Sequence, residues 1–111
     1  MKLPNGNRAQ LGEKLVRYSL NLNYPKGKNK AILFQRCLGI TLANKRVLEQ
    51  ALLEAAIEAE AILKKVDEYG VRYNTRFFME TDLGKSWVIG CWIVRETDDF
   101  PRLTNTYPVK K

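Results

Sequence analysis

Histidine is absent from this chain, and that absence removes most familiar hydrolytic machinery at once. No Ser/His/Asp or Cys/His set can be assembled without an imidazole. Any catalysis has to run without the usual general base. Cysteine is nearly as scarce. Cys37 and Cys91 sit in apolar strings (Arg36-Cys37-Leu38-Gly39-Ile40 and Ile89-Gly90-Cys91-Trp92-Ile93), and neither belongs to a CxxC pair. They read as buried free thiols, which argues against thiolate catalysis, a disulfide scaffold and a zinc site. No metal or other cofactor is expected. No apolar run approaches the ~20 residues of a membrane span. The opening Met1-Lys2-Leu3-Pro4-Asn5-Gly6 holds no signal-like segment. A cytoplasmic protein with no membrane partner is the expectation.

Acids are missing from one half. Residues 1–50 carry ten Lys/Arg against Glu13 and Glu49, a net charge of +8; residues 51–111 carry nine against ten, a net of −1. A basic half joined to a neutral one suggests a face built to meet polyanions. At 111 residues and 45% apolar content the chain suits a single domain, 1–111, with an ordinary core.

Pro4, Asn5, Gly6 and Asn7 predict an N-terminal arm over residues 1–9. Leu11, Leu15, Tyr18 and Leu22 recur at helical spacing and predict a first helix, ended by Asn21, Asn23 and Pro25. A second helix follows the Pro25–Asn29 turn, with Ala31, Phe34 and Leu38 as its apolar stripe and Gly39 as its terminating glycine. Thr41 or Asn44 caps a third, whose buried face is Leu48, Ala51, Leu52 and Ala55. Residues 51–65 favour helix throughout, but Ile62, Lys64 and Val66 alternate. We place the helix end near Ile57 and a strand from about Ala61 to Glu68. Strands then follow over Val71–Met79, Ser86–Arg95 and Arg102–Val109, separated by turns at Glu68-Tyr69-Gly70, Asp82-Leu83-Gly84 and Asp98-Asp99-Phe100-Pro101. The Ser86–Arg95 strand is apolar on both faces and belongs mid-sheet. The expected fold is α+β: three N-terminal helices (about residues 10–57) on one face of a three- or four-stranded antiparallel meander (about 61–109).

Three groups of residues could carry chemistry. Lys26, Lys28 and Lys30 surround Gly27 where the second helix begins, and a helix N-terminus with lysines favours anions; a solvated basic loop has the same composition. Strict alternation along Arg102–Tyr107 would put Arg102, Thr104 and Thr106 on one face and Leu103, Asn105 and Tyr107 on the other; an edge strand rich in β formers looks identical. Arg72, Asn74 and Arg76, with Phe78 beyond, form a row suited to phosphates and bases, or simply a solvated strand face. Of Trp87 and Trp92, on opposite faces, one is expected in the core and the other as a stacking platform.

Leu3-Pro4-Asn5, Arg8-Ala9, Lys14-Leu15, Tyr18, Leu20-Asn21, Pro25, Gly27, Lys30-Ala31, Trp92-Ile93-Val94, Pro101-Arg102-Leu103 and Tyr107-Pro108 fall in an order that resembles the bacterial domain of unknown function 6883. The resemblance spans nearly the whole chain. It implies a domain that stands alone or closes large secreted or phage-associated proteins, as toxin domains do. It also implies a helices-then-meander layout similar to barnase–EndoU–colicin–RelE-like nucleases, an analogy of fold and not of function. The family pattern points to Lys30 and Tyr107. Here Asn29 replaces the histidine or small polar residue common before the lysine, and Asn105 stands where Thr is common.

Two functions follow as expectations. A metal-independent ribonuclease-like toxin domain would use Lys30, Arg102, Asn105 and Tyr107 on RNA phosphodiesters, with Lys26, Lys28, Arg72 and Arg76 binding the strand. The alternative is a non-catalytic module that keeps the basic face for RNA, a ribosome, or an acidic antitoxin- or immunity-like protein. Convergence of Lys30, Arg102 and Tyr107 on one cleft, within about 12 Å, separates the two.

Overall fold

The structure is a computed structural model that describes residues 1–26 and 28–109. Two α-helices, α1 (Lys28–Leu38) and α2 (Lys45–Glu58), precede four strands: β1 (Ala61–Asp67), β2 (Gly70–Thr81), β3 (Gly84–Arg95) and β4 (Arg102–Val109). The strands pair antiparallel in the order β1-β2-β3-β4. The fold is therefore α+β with a four-stranded meander, and β3 is central. No helix among the described residues is long and apolar enough to cross a membrane.

The expected set of three N-terminal helices is not what forms. Where the first was predicted there is only a five-residue π-helical turn, Leu15–Ser19, in which Leu20 N–H donates to Leu15 O at 2.9 Å. The wider turn changes the spacing that matters. Leu15, Ser19 and Leu20 go inward, while Leu22, expected on the buried face, is 46% exposed. Nor is the N-terminus a free arm. Leu3 is buried, Lys2 bridges to Glu60, Ala61 N–H donates to Met1 O at 2.7 Å, and Gly6 packs on the α2 backbone at Ala56.

The remaining helix signals act as local chemistry dictates. Gly39 adopts φ 65° and closes α1, with Gly39 N–H donating to Gln35 O at 2.9 Å and Ile40 N–H to Phe34 O at 3.1 Å. Thr41 and Asn44 form a reciprocal capping box over a short 3-10 turn, Leu42–Asn44, that leads into α2. Helix α2 ends at Glu58 and β1 begins at Ala61, so the helix-prone 59–65 segment yields to strand pairing with β2.

One core lies between the helices and one sheet face. Phe34 and Leu38 of α1 and Leu48 and Leu52 of α2 meet Tyr73, Met79, Val88, Trp92 and Leu103 of the sheet. A buried polar pair within it is satisfied internally: Trp92 Nε1 donates to Thr75 Oγ1 at 3.0 Å. A Cβ on Gly90 would stand 3.1 Å from Leu52 Cδ2, which fixes this as the helix-covered side. Arg72, Asn74, Arg76, Phe78, Trp87, Ile89 and Cys91 project from the other side.

Candidate nucleic-acid interface

Residue pairing across β3 and β4 is in step on both sides of one break. Cys91 pairs with Asn105 and Trp92 with Leu103, leaving Thr104 as an extra residue in β4. Such a bulge reverses the alternation at that point. The strict alternation expected for this strand is therefore corrected. Leu103, Thr106 and Pro108 are buried, whereas Arg102, Asn105 and Tyr107 pair with Ile93, Cys91 and Ile89 on the side away from the helices. Thr104 Oγ1 steadies the bulge by donating to Cys91 O at 3.2 Å.

The Lys30 ammonium lies 5.7 Å from the Tyr107 ring centroid, a cation–π contact across the β4 edge. Tyr107 also meets the Cys91 thiol. Burial pushes the Cys91 thiol up, against the pull of Lys30, the Tyr107 hydrogen bond and Lys64. Tyr107 is pushed up as well, by burial and then by Cys91. The phenol thus stays protonated at neutral pH. The lowered pKa that would let it act as a base is not found here, and its chemistry is that of a hydrogen-bond donor. Asn105 Oδ1 accepts from Thr106 N–H at 2.9 Å, which turns its amide NH₂ outward as a donor.

Arg102 is not brought to this group. Its Nε is held by Asp98 Oδ2 at 2.9 Å, and its guanidinium covers the Phe100 ring at 4.8 Å. The β3 partners of Arg102 and Tyr107 are four residues apart, about 13 Å along the strand. Arg72 is similarly engaged: its Nε meets Asp67 Oδ2 at 2.9 Å and holds that carboxyl below its usual range. Arg76 is exposed, with its guanidinium 4.5 Å from the Trp87 centroid; Phe78, 49% exposed, meets Trp87 edge-on at 5.4 Å. Trp92 is the core tryptophan and Trp87 the outward one.

Beside Lys30 and Asn105 opens a cleft of about 320 Å³. Lys26 and Lys30 come from either side of the α1 start; Lys14, Tyr18 and Ser19 come from the π turn, Tyr24 from the loop after it, and Thr104 from the bulge. Lys14 caps the Tyr18 ring at 5.0 Å, and Tyr18 and Tyr24 stand edge-to-face at 4.8 Å. Among the described residues no carboxylate lines this cleft. Lys28 is exposed at the first turn of α1, and Gly27, expected to let backbone approach a phosphate, lies outside the described residues.

Of the residues lining this cleft, Lys26, Lys30 and Asn105 were expected at a site, whereas Lys14, Tyr18, Ser19 and Tyr24 were not. The i,i+4 spacing of Lys14 and Tyr18 was a usable signal; the π turn that brings Ser19 to them was not. Among the described residues no three His, Cys, Asp or Glu side chains gather as a metal site.

No curated protein and no solved structure matches the chain. A family model does, over residues 2–110, and on that match the chain belongs to the family described as domain of unknown function (DUF6883).

Proposed function

We propose that this domain binds single-stranded RNA across the sheet face its helices leave open, as a binding module and not a nuclease. The observation that carries this is the Arg76–Trp87–Phe78 group. An exposed Phe78 beside a half-buried Trp87, with a guanidinium stacked on the indole, is a sequence-tolerant platform for unstacked bases. Lys30, with Lys26 and Lys28 nearby on the chain, supplies positive charge for the backbone. Asn105 and Tyr107 add outward donors. A cytoplasmic setting and an acidic antitoxin- or immunity-like protein competing for the same face belong to this reading.

Ribonuclease-like toxin activity is the second reading, favoured by the apposition of Lys30 and Tyr107. There Lys30 would neutralise the crowded phosphorane and Tyr107 would donate to the leaving oxygen. A base for the 2′-hydroxyl is the missing part. Among the described residues no carboxylate lines the adjoining cleft, and Tyr107 holds its proton too firmly. Binding without turnover is therefore preferred.

The test uses single-stranded RNA with wild type, Arg76→Ala and Trp87→Ala, followed by anisotropy over a salt series. Salt-sensitive binding, weakened about tenfold in either variant, is expected. Absence of binding at low salt would overturn the proposal. In parallel, wild type and Lys30→Ala are incubated with total RNA and translating ribosomes in EDTA. Defined products lost in the variant would transfer the assignment to the nuclease.

A further inference from the structure

Ser19 is 1% exposed and lines the cleft, yet its Oγ is a buried side-chain polar atom without a hydrogen-bond partner among the described residues. Buried hydroxyls are nearly always satisfied, so an unmatched one beside a cationic cleft points to a missing acceptor. Lys14, Lys26 and Lys30 line the same cleft, and among the described residues no carboxylate joins them. The nearby Glu13 is engaged by Arg17. Three ammonium groups gathered without an acid repel one another until an anion enters. The start of α1, an eleven-residue helix, lies between Lys26 and Lys30 and adds its positive dipole end.

We propose that this cleft captures the terminal phosphate of a nucleic-acid strand, a monoester, as an end-recognition site adjoining the sheet face. The inference rests on the RNA-binding reading and specifies which part of the strand the cleft holds. Charge is the first argument. An internal phosphodiester carries one negative charge, whereas a terminal phosphate carries about two at neutral pH, the better match to three lysines. Size is the second. A volume of about 320 Å³ is at the small end of ligand pockets, room for about one nucleotide. Tyr18 and Tyr24 give the terminal base or sugar an aromatic wall, and the Asn105 amide gives the phosphate a further donor.

Isothermal titration with tetrauridylate decides it. The oligomer is offered with a 5′-monophosphate, a 3′-monophosphate, or hydroxyls at both ends, to wild type, Ser19→Ala, Lys26→Ala and, as a control for lost charge elsewhere, Arg46→Ala. One phosphorylated end is expected to bind about tenfold tighter than the hydroxyl form, and the two phosphate positions tell which end is read. Ser19→Ala and Lys26→Ala should erase that preference, and Arg46→Ala should keep it. Lys26 is exposed, so its variant remains informative if Ser19→Ala misfolds. Equal affinity for all three oligomers would overturn the inference and leave the RNA reading standing. Binding of uridine 5′-monophosphate but of no oligomer would keep the phosphate site and overturn the strand reading. No binding of any probe would overturn both.

Discussion

The Lys30 ammonium sits over the Tyr107 ring at 5.7 Å, joining the basic first half of the chain to the neutral second half. That contact places one cation where the open sheet face and the lysine cleft adjoin. Removing it should affect both. Lys30→Ala is expected to weaken single-stranded RNA binding about tenfold and reduce the slope of log K against log salt by about one phosphate's worth. Lys30→Arg should retain most of the slope. A salt series by anisotropy checks both, and an unchanged slope in Lys30→Ala would remove Lys30 from the interface.

The buried Trp92–Thr75 hydrogen bond is a stability device with no part in binding. Thr75→Val keeps the shape and leaves Trp92 N–H without an acceptor, which should cost about 1–3 kcal/mol. Urea unfolding should show a lower midpoint at constant slope, with RNA affinity at saturation of folding unaltered.

Gly84 opens β3 directly against the end of α1. An added Cβ would lie 2.1 Å from Cys37 O, a backbone atom that cannot yield without moving the helix. Gly84→Ala should therefore destabilise by about 1–3 kcal/mol, while Lys85→Ala, next to it and exposed, should be close to neutral. Equal melting temperatures for the two variants would contradict this packing.

Stability should fall at both pH extremes for separate reasons. Asp67 is lowered by its hydrogen bond to Arg72, and Asp99 by its hydrogen bond to Arg8. A carboxylate depressed in the folded state contributes stability above its unfolded pKa, near 4, and loses it as pH drops through the folded value. Asp67→Asn should flatten that acid limb. Tyr107 is raised, so its contribution is intact below the unfolded tyrosine value, about 10, and is lost as pH rises beyond it. Tyr107→Phe should remove this alkaline loss. Thermal melts over a pH series, with ultraviolet titration of the phenols, would expose either error in sign.

Legibility from sequence followed the range of the interactions involved. The α1 stripe, the Gly39 stop and the Thr41/Asn44 cap are set by neighbours a few residues away, and they form as their residues dictate. The α2-to-β1 boundary was readable because Ile62, Lys64 and Val66 break helical periodicity, although β1 itself is bulged between Leu63 and Lys65. The first helix was misread because Leu11, Leu15, Tyr18 and Leu22 fit a 3.6-residue period, while docking of Leu15 and Leu20 selects the wider turn. The site was half legible. Lys30 and Tyr107 were named and lie together, and Arg76 and Trp87 were named separately without a sign that they stack. Arg102 looked available, but Asp98, four residues earlier, takes its Nε through the loop geometry.

The extra residue at Thr104 gives β4 a change of phase in mid-strand. Before it, Leu103 faces the core; after it, Thr106 and Pro108 do, so the downstream outward positions fall to Asn105 and Tyr107. Deleting that one residue would mend the break and keep Asn105, Thr106, Tyr107 and Pro108 on the faces they already hold, because Leu103 and Asn105 pair with neighbouring residues of β3. Pairing Thr104 as an ordinary ladder residue, with no bulge, would do the opposite: Asn105 and Tyr107 would be driven into the apolar interior, and Thr106 and Pro108 expelled from it. The reading frame of this strand, more than the identity of any residue in it, decides what the domain presents to a ligand.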